Sequence, residues 1–552
     1  MDSVHPSVML SQRARLAIVG AVMLGLFLSA LDQTVVGTAL PTIVTDLGGN
    51  SVYVWVVTAY LLTSTVTVPV YGKLSDIFGR KVMLIIGISL FLVGSALSGL
   101  SQNMGELIAF RGLQGLGAGA LFPISLAVIG DLFTPRERGK YQGFFGAVFG
   151  VSFLVGPFLG GFITDNISWH WVFYVNVPIG IVALAVISAI LPNHRSEGPR
   201  PKIDFLGTAV FTAAVVPLLV GLTEKGLTNT AGQAVGWITW QVGGLLALSA
   251  VLGVVFVLIE ARVPEPIVPL DLFRIRTYWS SQAAMFLLSF AFFIGVIFLP
   301  RYYQASRGIS ATASGYMLWP LLLGLMGTSI LAGLVISRTG RYKWMLVGAM
   351  VVAGVGMLLM TQLSATTPDW TLWTWMLIMG VGIGPSMSAY TVVVQNAVPQ
   401  RLIGVATSNL TFFRQVGGSI GLAVAGTYLA SSFSSQLPKN LAQGGVPSQL
   451  YSHFRSNGGS SLTGVGNLAL QLQHVLPAPL QHLIPAIVFA IHQSLAQAIG
   501  GSFWLGVGAT VLAVIASLFM REVPLRTHMG AAPTPAPGAE PDAEASELVA
   551  VH

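Results

Sequence analysis

An acidic and a basic residue stand deep inside two long apolar stretches of this sequence. Asp32 lies in the stretch at about 16–40, and Arg111 lies in the stretch at about 106–130. Burial favours the protonated form of a carboxyl group, whereas a nearby guanidinium favours the ionised form. Such a pair can take up and release a proton, so the two residues are predicted to carry proton coupling. The alternative is a static ion pair or a hydrogen bond that stabilises a helix kink.

Other reactive chemistry has no basis in the sequence. The chain has no cysteine, which excludes disulfides, thiolate metal sites and cysteine nucleophiles. Its nine histidines show no metal-ligand spacing, and there is no G-x-x-x-x-G-K-[ST] loop for ATP. We therefore expect neither an enzyme nor an ATP-driven pump, and no metal or other cofactor. The net charge of +7 is spread over many loops, so no nucleic-acid partner is expected.

The composition is that of a membrane protein. Charged residues make up 9% of the 552, against about 25% in typical soluble domains, and hydrophobic residues reach 54%. A bilayer core about 30 Å thick needs about 20 apolar residues per helix. The sequence predicts an all-α polytopic membrane protein with fourteen such helices, at about 16–40, 51–71, 82–100, 106–130, 140–163, 170–191, 205–222, 237–259, 278–300, 311–336, 344–362, 370–395, 404–430 and 498–520. An earlier start of the last helix, near Leu483, is the alternative for its amino end.

The positions of the lysines and arginines predict the orientation. Most of the 27 fall on loops that are cytoplasmic if the amino terminus is cytoplasmic, in accord with the positive-inside rule. We therefore expect a multi-pass protein of the cell (inner) membrane, with both termini in the cytoplasm. The lipid bilayer is then its largest partner, and the chain is expected to be a monomer.

Several glycine patterns recur in the two halves of the chain at offsets of about 261–265 residues. The spacing of Gly72 and Gly79 returns in Gly333 and Gly340, and the alternating glycines that begin at Gly115 return in an equivalent run at 380–384. Parallel repeats around a site near the bilayer midplane account for this pattern. Asp32 maps into 293–297 and Arg111 maps near Met376, so the charged pair has no second copy.

The repeat divides the chain into expected domains. We expect a six-helix bundle at 1–192, a linker with two inserted transmembrane helices at 193–277, and a second six-helix bundle at 278–520. The second bundle includes an external loop at 431–497, for which a solvated linker and a binding role both remain open. Residues 521–552 are rich in Pro, Ala and Glu and are expected to form a disordered cytoplasmic tail.

Three further motifs carry a family resemblance. The loop between helices 2 and 3 combines glycines for a tight turn with an acid expected to cap helix 3 and two cations, at Gly72, Asp76, Gly79, Arg80 and Lys81. Helix 5 has a glycine–proline pattern at Gly146, Gly150, Gly156, Pro157, Gly160 and Gly161. The start of helix 6 carries Trp169, Trp171, Phe173, Asn176, Pro178 and Gly180. With the helix 1 and helix 4 segments around Asp32 and Arg111, they resemble the Major Facilitator Superfamily and, within it, the fourteen-helix drug:proton antiporters of the EmrB/QacA type.

The resemblance implies a role for each motif. The family fold has two six-helix bundles, here with two inserted helices, and the loop between helices 2 and 3 braces the two halves. Plain topogenic charge is the alternative for that loop, and tight helix packing is the alternative for the helix 5 glycines. In this family helices 1 and 4 line the cavity. Asp32 and Arg111 lie about 12 Å and about 8–10 Å from the outer ends of their helices, so contact between them is expected.

Candidate residues for a substrate cavity are polar or aromatic side chains at membrane depth. Arg414 lies deep in helix 13, and it either serves the substrate site or bonds backbone groups between the halves. Packing is the alternative for the aromatic residues. The full set is Tyr60, Gln114, Tyr316, Trp319, Tyr390, Asn409 and Arg414.

Taken with the resemblance, these features predict a proton-coupled antiporter that exports lipophilic drugs by alternating access. Protons and lipophilic small molecules are its expected partners. One deep acid neutralises about one charge, so neutral or monocationic substrates are expected. The alternatives are an exporter of one physiological solute, such as an amino acid, peptide, siderophore or lipid, and a membrane sensor that transports nothing.

Overall fold

A computed structural model describes residues 11–47, 52–192, 204–225, 235–448, 472–473 and 478–525. Those residues form helices and short connections, with no β-strand among them. Within them, fourteen helices are long and apolar enough to cross a membrane, which confirms the predicted fold class. They are α1 (Gln12–Leu47), α2 (Val54–Phe78), α3 (Arg80–Gly99), α4 (Met104–Leu132), α5 (Pro135–Asn166), α6 (Trp171–Ile190), α7 (Phe205–Lys225), α8 (Trp240–Glu260), α9 (Arg276–Arg307), α10 (Trp319–Thr339), α11 (Lys343–Met360), α12 (Asp369–Ala397), α13 (Gln400–Gln443) and α14 (Leu480–Leu518).

The burial of these helices sorts them into central and peripheral positions. In the most apolar 18-residue segments of α4 and α12, 78% of the residues are buried inside the protein, whereas in that of α8 only 11% are buried. In a bilayer an exposed apolar helix is covered by lipid, since the helix satisfies its own backbone hydrogen bonds. Helices α4 and α12 therefore sit in the interior, where polar side chains on them meet other helices rather than lipid.

The buried apolar side chains group by halves of the chain. Two clusters lie between residues 18 and 191, and a third lies between 272 and 520 with Ala127 as its one member from the first half. On this basis we propose the division into a first half, 1–192, and a second half, 278–520. The inserted helices α7 and α8 pack on each other and, through Phe211, against Val66 of α2 and Phe412 of α13.

The loop expected at 431–497 is shorter than predicted, and its far end agrees with the alternative start of the last helix near Leu483. Helix α13 continues to Gln443, and a 3₁₀ turn at Ala478–Leu483 leads into the α-helical part of α14, which begins at Ile484. Serine and glutamine after Leu429 end the apolar stretch, but they are compatible with a helix, so hydropathy underestimated its length. The two extensions are joined by Asn440, whose side chain donates to Ser494 Oγ at 2.8 Å and to Gln497 Oε1 at 3.0 Å. Residues 449–471 and 474–477 lie outside the described residues.

The expectation of a disordered tail from 521 is wrong for its first residues. The backbone N–H of Val523 donates to the hydroxyl of Tyr342 at 2.8 Å, and the N–H of Tyr342 donates to Glu522 Oε1 at 3.0 Å. Burial raises the pKa of Tyr342, so its hydroxyl stays protonated. The side chain of Asn396 also donates to the Pro524 carbonyl, so residues 521–524 dock on the second half. The rest of the predicted tail, 526–552, lies outside the described residues.

One end of the helix bundle is used below as a reference. The basic end is the end at which α1 begins, and it carries the connections α2–α3, α4–α5, α10–α11 and α12–α13. Its cations include Arg80, Arg136 and Arg338. The positive-inside rule predicts that the basic end faces the cytoplasm.

Candidate functional site

A buried polar cluster lies inside the first half, with the carboxylate of Asp32 at its centre. Arg111 of α4 places Nη1 at 2.5 Å from Asp32 Oδ2, so the two depths estimated from the sequence do coincide. Gln114, one turn along α4, donates through Nε2 to Asp32 Oδ1 at 2.9 Å. Asn176 of α6 donates through Nδ2 to the same oxygen at 3.1 Å. Both oxygens of Asp32 are therefore occupied by donors from two other helices.

The arginine of this cluster is fully enclosed as well. Its Nε donates to the carbonyl of Val56 at 3.2 Å, and its Nη1 also donates to Gln114 Oε1 at 2.8 Å. The ring of Tyr60 lies 4.2 Å below the guanidinium carbon. Asp32 and Arg111 are each 1% exposed. A charged pair removed from solvent keeps its charges only when further hydrogen bonds surround it, and this pair has them.

Two members of the cluster were not assigned from the sequence. Asn176 appeared only as part of the motif at the start of α6, and Ser95 of α3 was not singled out, although its Oγ accepts from Asn176 at 3.1 Å. Gln114 was assigned to the substrate cavity, but it is 0% exposed and bonds Asp32 and Arg111. The sequence feature that points to these residues is an amide side chain within an apolar helix, as at Gln114 and Asn176. Such side chains have many roles, so this feature does not identify the partner.

The second half has an apolar counterpart at the same place in the repeat. A Cβ added to Gly295 of α9 would lie 2.6 Å from Met379 Cε of α12, so these helices meet where α1 and α4 carry Asp32 and Gln114. Met376, the counterpart of Arg111, is fully buried. The cluster is therefore a property of the first half alone.

The motif between α2 and α3 contacts the other half of the protein. Asp76 accepts hydrogen bonds from the backbone N–H of Gly404 at 3.2 Å and of Val405 at 2.9 Å. These are the first residues of the α13 helix proper, which begins at Ile403, so Asp76 caps α13. The expectation that Asp76 caps helix 3 is wrong: Asp76 lies within α2, and the α3 N-cap is Gly79 without a side-chain bond. Capping across the interface depends on tertiary packing, which sequence spacing does not show.

The cations and glycines of this motif hold the carboxylate in place. Arg80 places Nη2 at 2.5 Å from Asp76 Oδ1, and its Nε donates to Asp131 of α4 at 2.9 Å. Gly79 has φ 95°, a backbone conformation that favours glycine. A Cβ on Gly72 would collide with Ser408 of α13, so this glycine permits close approach. Lys81 has no hydrogen bond or ion pair within the described ranges.

The repeat produces an equivalent contact between α5 and α10. Gly333 is the counterpart of Gly72, and a Cβ on it would collide with the carbonyl of Gly139. Arg136, next to this contact, donates through Nε to the Ser337 carbonyl at 2.9 Å and through Nη2 to the Arg338 carbonyl at 3.0 Å. The cation Arg136 thus lies at the carboxyl end of α10, and the anion Asp76 lies at the amino end of α13. Both charges interact favourably with the dipoles of these helices.

With this geometry established, comparison with known proteins identifies the family. Residues 22–422 match the family described as Major Facilitator Superfamily. The chain belongs to the Major Facilitator Superfamily. It is therefore a multi-pass membrane transporter and not an enzyme.

Curated relatives of this transporter are named for multidrug transport or multidrug resistance. It is 39% identical over 430 residues to the multidrug transporter protein MdtP of Bacillus subtilis, covering 78% of each chain. It is 38% identical over 420 residues to multidrug resistance protein 3 of the same organism, covering 76% of this chain and 80% of the relative. The solved structure of the proton:xylose symporter XylE matches with a TM-score of 0.56 at 15% identity, covering 92% of this chain and 95% of that one. That likeness concerns the fold alone.

The glycines of α5 place this helix between Asp32's helix and the second half of the transporter. Added Cβ atoms on Gly156 and Gly160 would collide with Thr34 and Thr38 of α1. Those on Gly146 and Gly150 would collide with Ser329 and Met326 of α10. Pro157 lies against Gly315 in the short helix before α10, since a Cβ on Gly315 would be 3.2 Å from Pro157 Cβ. Gly161 is partly buried.

The structure separates the residues expected to line a substrate cavity. Tyr60 and Tyr390 are 0% exposed and Asn409 is 1% exposed, so none of them lines an open cavity in this structure. The Tyr390 hydroxyl bonds Ser517, and Asn409 donates to the Tyr278 hydroxyl, both within the second half. In this structure these side chains are internal partners between helices, and their assignment to a substrate cavity stays a prediction.

The remaining cavity candidates are accessible. Tyr316 and Trp319 form an edge-to-face pair, with ring centroids 5.5 Å apart, at the amino end of α10. They are 38% and 41% exposed. Arg414 of α13 is partly exposed and places its guanidinium carbon 3.9 Å from the Phe122 ring centroid and 5.2 Å from that of Phe149.

Proposed function

We propose that this transporter is a proton-coupled antiporter that exports lipophilic small molecules by alternating access. The observation that carries the proposal is the fully enclosed carboxylate of Asp32 with its three side-chain donors. The names of the relatives, a multidrug transporter and a multidrug resistance protein, support drugs as the substrate class. In an apolar span, an ionisable residue at such a site is by default a functional one.

Asp32 is the proton-binding group in this mechanism. In the structure its carboxylate is held by donors from Arg111, Gln114 and Asn176. Protonation removes the charge that these donors stabilise, so the guanidinium and one or both amides must find other partners. The cluster lies wholly within the first half, so rocking of the halves does not by itself separate it. The proton must act by changing how α1, α4 and α6 pack.

Helix α5 provides the route from that change to the second half. Thr34, two residues after Asp32, donates to the Ser152 carbonyl of α5 at 3.2 Å. On the same helix, Gly143 accepts through its carbonyl from Ser329 Oγ of α10 at 3.1 Å. A shift of α1 therefore displaces α5, because the two helices are in close contact at the glycines of α5. The other glycine face of α5 contacts α10, so the displacement is passed on to the second half.

The contacts at the basic end hold one of the two access states. Asp76 on α13, Arg136 on α10, and Gln142 on Gln395 at 2.9 Å all join the two halves there. Opening at this end requires all of them to separate. With the basic end in the cytoplasm, as proposed from the cation positions, the structure is closed to the cytoplasm. The proposal places both termini in the cytoplasm and the protein in the cell (inner) membrane, where it acts as a monomer.

The expected preference for neutral or monocationic substrates rested on Asp32 as the single deep acid. Both of its oxygens are occupied and it is 1% exposed, so it does not present a carboxylate to a substrate cation in this state. Neutral lipophilic molecules remain within the proposal. The monocationic part loses its support.

Accumulation in everted membrane vesicles tests the proposal. Vesicles with an acidified lumen should accumulate lipophilic dyes, and nigericin plus valinomycin with K⁺ should abolish the accumulation because together they collapse the pH gradient and the membrane potential. Accumulation that persists without either gradient would rule out proton antiport. The same panel should include amino acids, peptides, siderophores and lipids, since uptake confined to one of these would favour the exporter of a single physiological solute. Uptake of nothing would favour the non-transporting sensor.

A further inference from the structure

Arg414 lies near the middle of the membrane, between the two halves of the transporter. It is nine residues beyond Val405, which Asp76 caps at the basic end, and this corresponds to about 14 Å along α13. The apolar core of a bilayer is about 30 Å thick. Its side chain crosses to the first half, where it contacts Phe122 of α4 and Phe149 of α5. Any molecule bound there touches both halves, as expected for a substrate site between parallel repeats.

The guanidinium of Arg414 lacks acceptors for most of its donors. Within the described residues its one polar contact is with Met387 Sδ at 3.9 Å, and no carboxylate pairs with it. A guanidinium carries five N–H donors, thioether sulfur is a weak acceptor, and aromatic faces accept no ordinary hydrogen bond. Arg111, the other arginine at membrane depth, is by contrast fully bonded and neutralised by Asp32.

The three charged side chains deep in the membrane, Asp32, Arg111 and Arg414, therefore sum to one positive charge. Asp32 and Arg111 compensate each other, and Arg414 is left alone among the described residues. Part of its surface is not covered by protein in this structure. A cationic substrate would meet like charge in low dielectric, whereas a carboxylate or sulfonate would supply the missing acceptors in a paired geometry that suits arginine.

The apolar surroundings define the rest of such a ligand. Phe122 and Phe149 meet edge to face with ring centroids 5.4 Å apart, and Phe153 stacks beyond Phe149 at 6.4 Å. Aromatic rings of this kind pack against flat apolar groups. The site thus combines one unpaired cation with an adjacent aromatic wall.

We propose that Arg414 is a specificity-determining residue that selects lipophilic substrates bearing one anionic group, with Phe122 and Phe149 packing against the apolar part. This rests on the proposed transport function and replaces the monocationic preference expected from the sequence. Export of such an anion in exchange for a proton moves net positive charge inward, so the membrane potential assists it.

Binding of a matched dye series to the purified full-length protein tests this inference without requiring transport. The probes are dansylglycine, dansylglycinamide and a dansylaminoethyl-trimethylammonium salt, which share a fluorophore and differ in charge. We expect the carboxylate dye to bind about 10- to 100-fold more tightly than the amide, as for a charge-assisted hydrogen bond, and the cation to bind most weakly. The Arg414→Gln variant should lose this preference while its affinity for the amide stays within about threefold.

Two further variants separate charge at the site from charge elsewhere. Arg414→Lys keeps the cation and should keep a reduced preference for the carboxylate dye. Arg341→Gln removes an exposed cation at the basic end and should leave all three affinities unchanged. Equal binding of the dyes by the unmodified protein, binding of none, or a preference that survives Arg414→Gln overturns the assignment. Failure of proton antiport alone would appear as normal dye discrimination without gradient-driven accumulation.

Discussion

The carboxylate of Asp76 in α2 accepts a hydrogen bond from the backbone N–H of Val405 in α13, 2.9 Å away. The contact joins the first half of the protein to the positive end of a helix in the second half. Its other oxygen accepts from Gly404 and is bound by Arg80. The signature loop of the family thus acts here as a cap supplied from the opposite half, and its strength depends on both carboxylate oxygens.

Replacing Asp76 with asparagine should therefore weaken closure at the basic end. An asparagine has one acceptor oxygen, and its NH₂ group would face a backbone N–H or Arg80. We expect transport to slow by about 5-fold, in line with the roughly 1 kcal/mol that a helix cap contributes, with the KM for the substrate within a few-fold. Rates of dye accumulation over a range of dye concentrations give both quantities.

Asp271→Asn is the matched control, since within the described residues this exposed carboxylate pairs with Arg274 of its own turn alone, at 3.4 Å. It should transport like the unmodified protein. A large increase in KM at normal turnover in Asp76→Asn would place Asp76 at the substrate site and contradict its role as a brace.

Replacing Gly333 with alanine should disfavour the same closed state from the other side of the repeat. The added Cβ would collide with the Gly139 carbonyl, and overpacking of this kind costs roughly 1–3 kcal/mol. Since the chain has no cysteine, spin labels can be attached at Lys140→Cys and Arg338→Cys without other changes. We expect the distance distribution between them to shift to longer values in Gly333→Ala.

Gly348→Ala is the control for that experiment, because nothing lies within 4 Å of its added Cβ. It should leave the distribution unchanged. An unchanged distribution in Gly333→Ala would mean that the glycine contact does not determine closure.

The orientation of the bundle is predicted from the cations alone. Reporter fusions after Arg200, Arg276 and Arg526 should all report the cytoplasm, and a fusion within 440–460 should report the outside. A cytoplasmic signal from the fusion within 440–460 would show that α13 and α14 cross the membrane in the direction opposite to the predicted one. An external signal after Arg276 would contradict the placement of α7 and α8 as an inserted pair.

The sequence predicted those features that depend on one helix or on repeated spacing. Fourteen apolar stretches gave the fold, and the depths of Asp32 and Arg111 along their helices gave their contact. It did not predict the partners of these residues, such as Asn176, because which face of a helix meets which neighbour depends on packing. For the same reason Tyr390 and Asn409 were assigned to a cavity although they bond other helices of the second half.

The predicted ends of the helices differ from the structure for another reason. The end of α13 extends beyond its apolar stretch because Phe433, Leu437 and Leu441 recur at a spacing of four and are buried. That pattern is helical, but it is too short and too polar to be recognised by hydropathy. The docked residues 521–524 were missed because their partners, Tyr342 and Asn396, lie more than a hundred residues earlier.

The central claim is that Asp32 carries the proton exchanged for substrate. Purified protein in weakly buffered detergent solution, with a pH indicator, measures proton release on addition of a lipophilic dye. In a series of starting pH values, the unmodified protein should release up to one proton per bound dye where Asp32 is protonated before the dye is added, and Asp32→Asn should bind the dye but release none at any of them. Asp46→Asn removes a carboxylate from the same helix, where it accepts from Trp169 Nε1 at 2.7 Å, and should release protons normally. Undiminished proton release from Asp32→Asn would contradict the account and require a different proton-binding group.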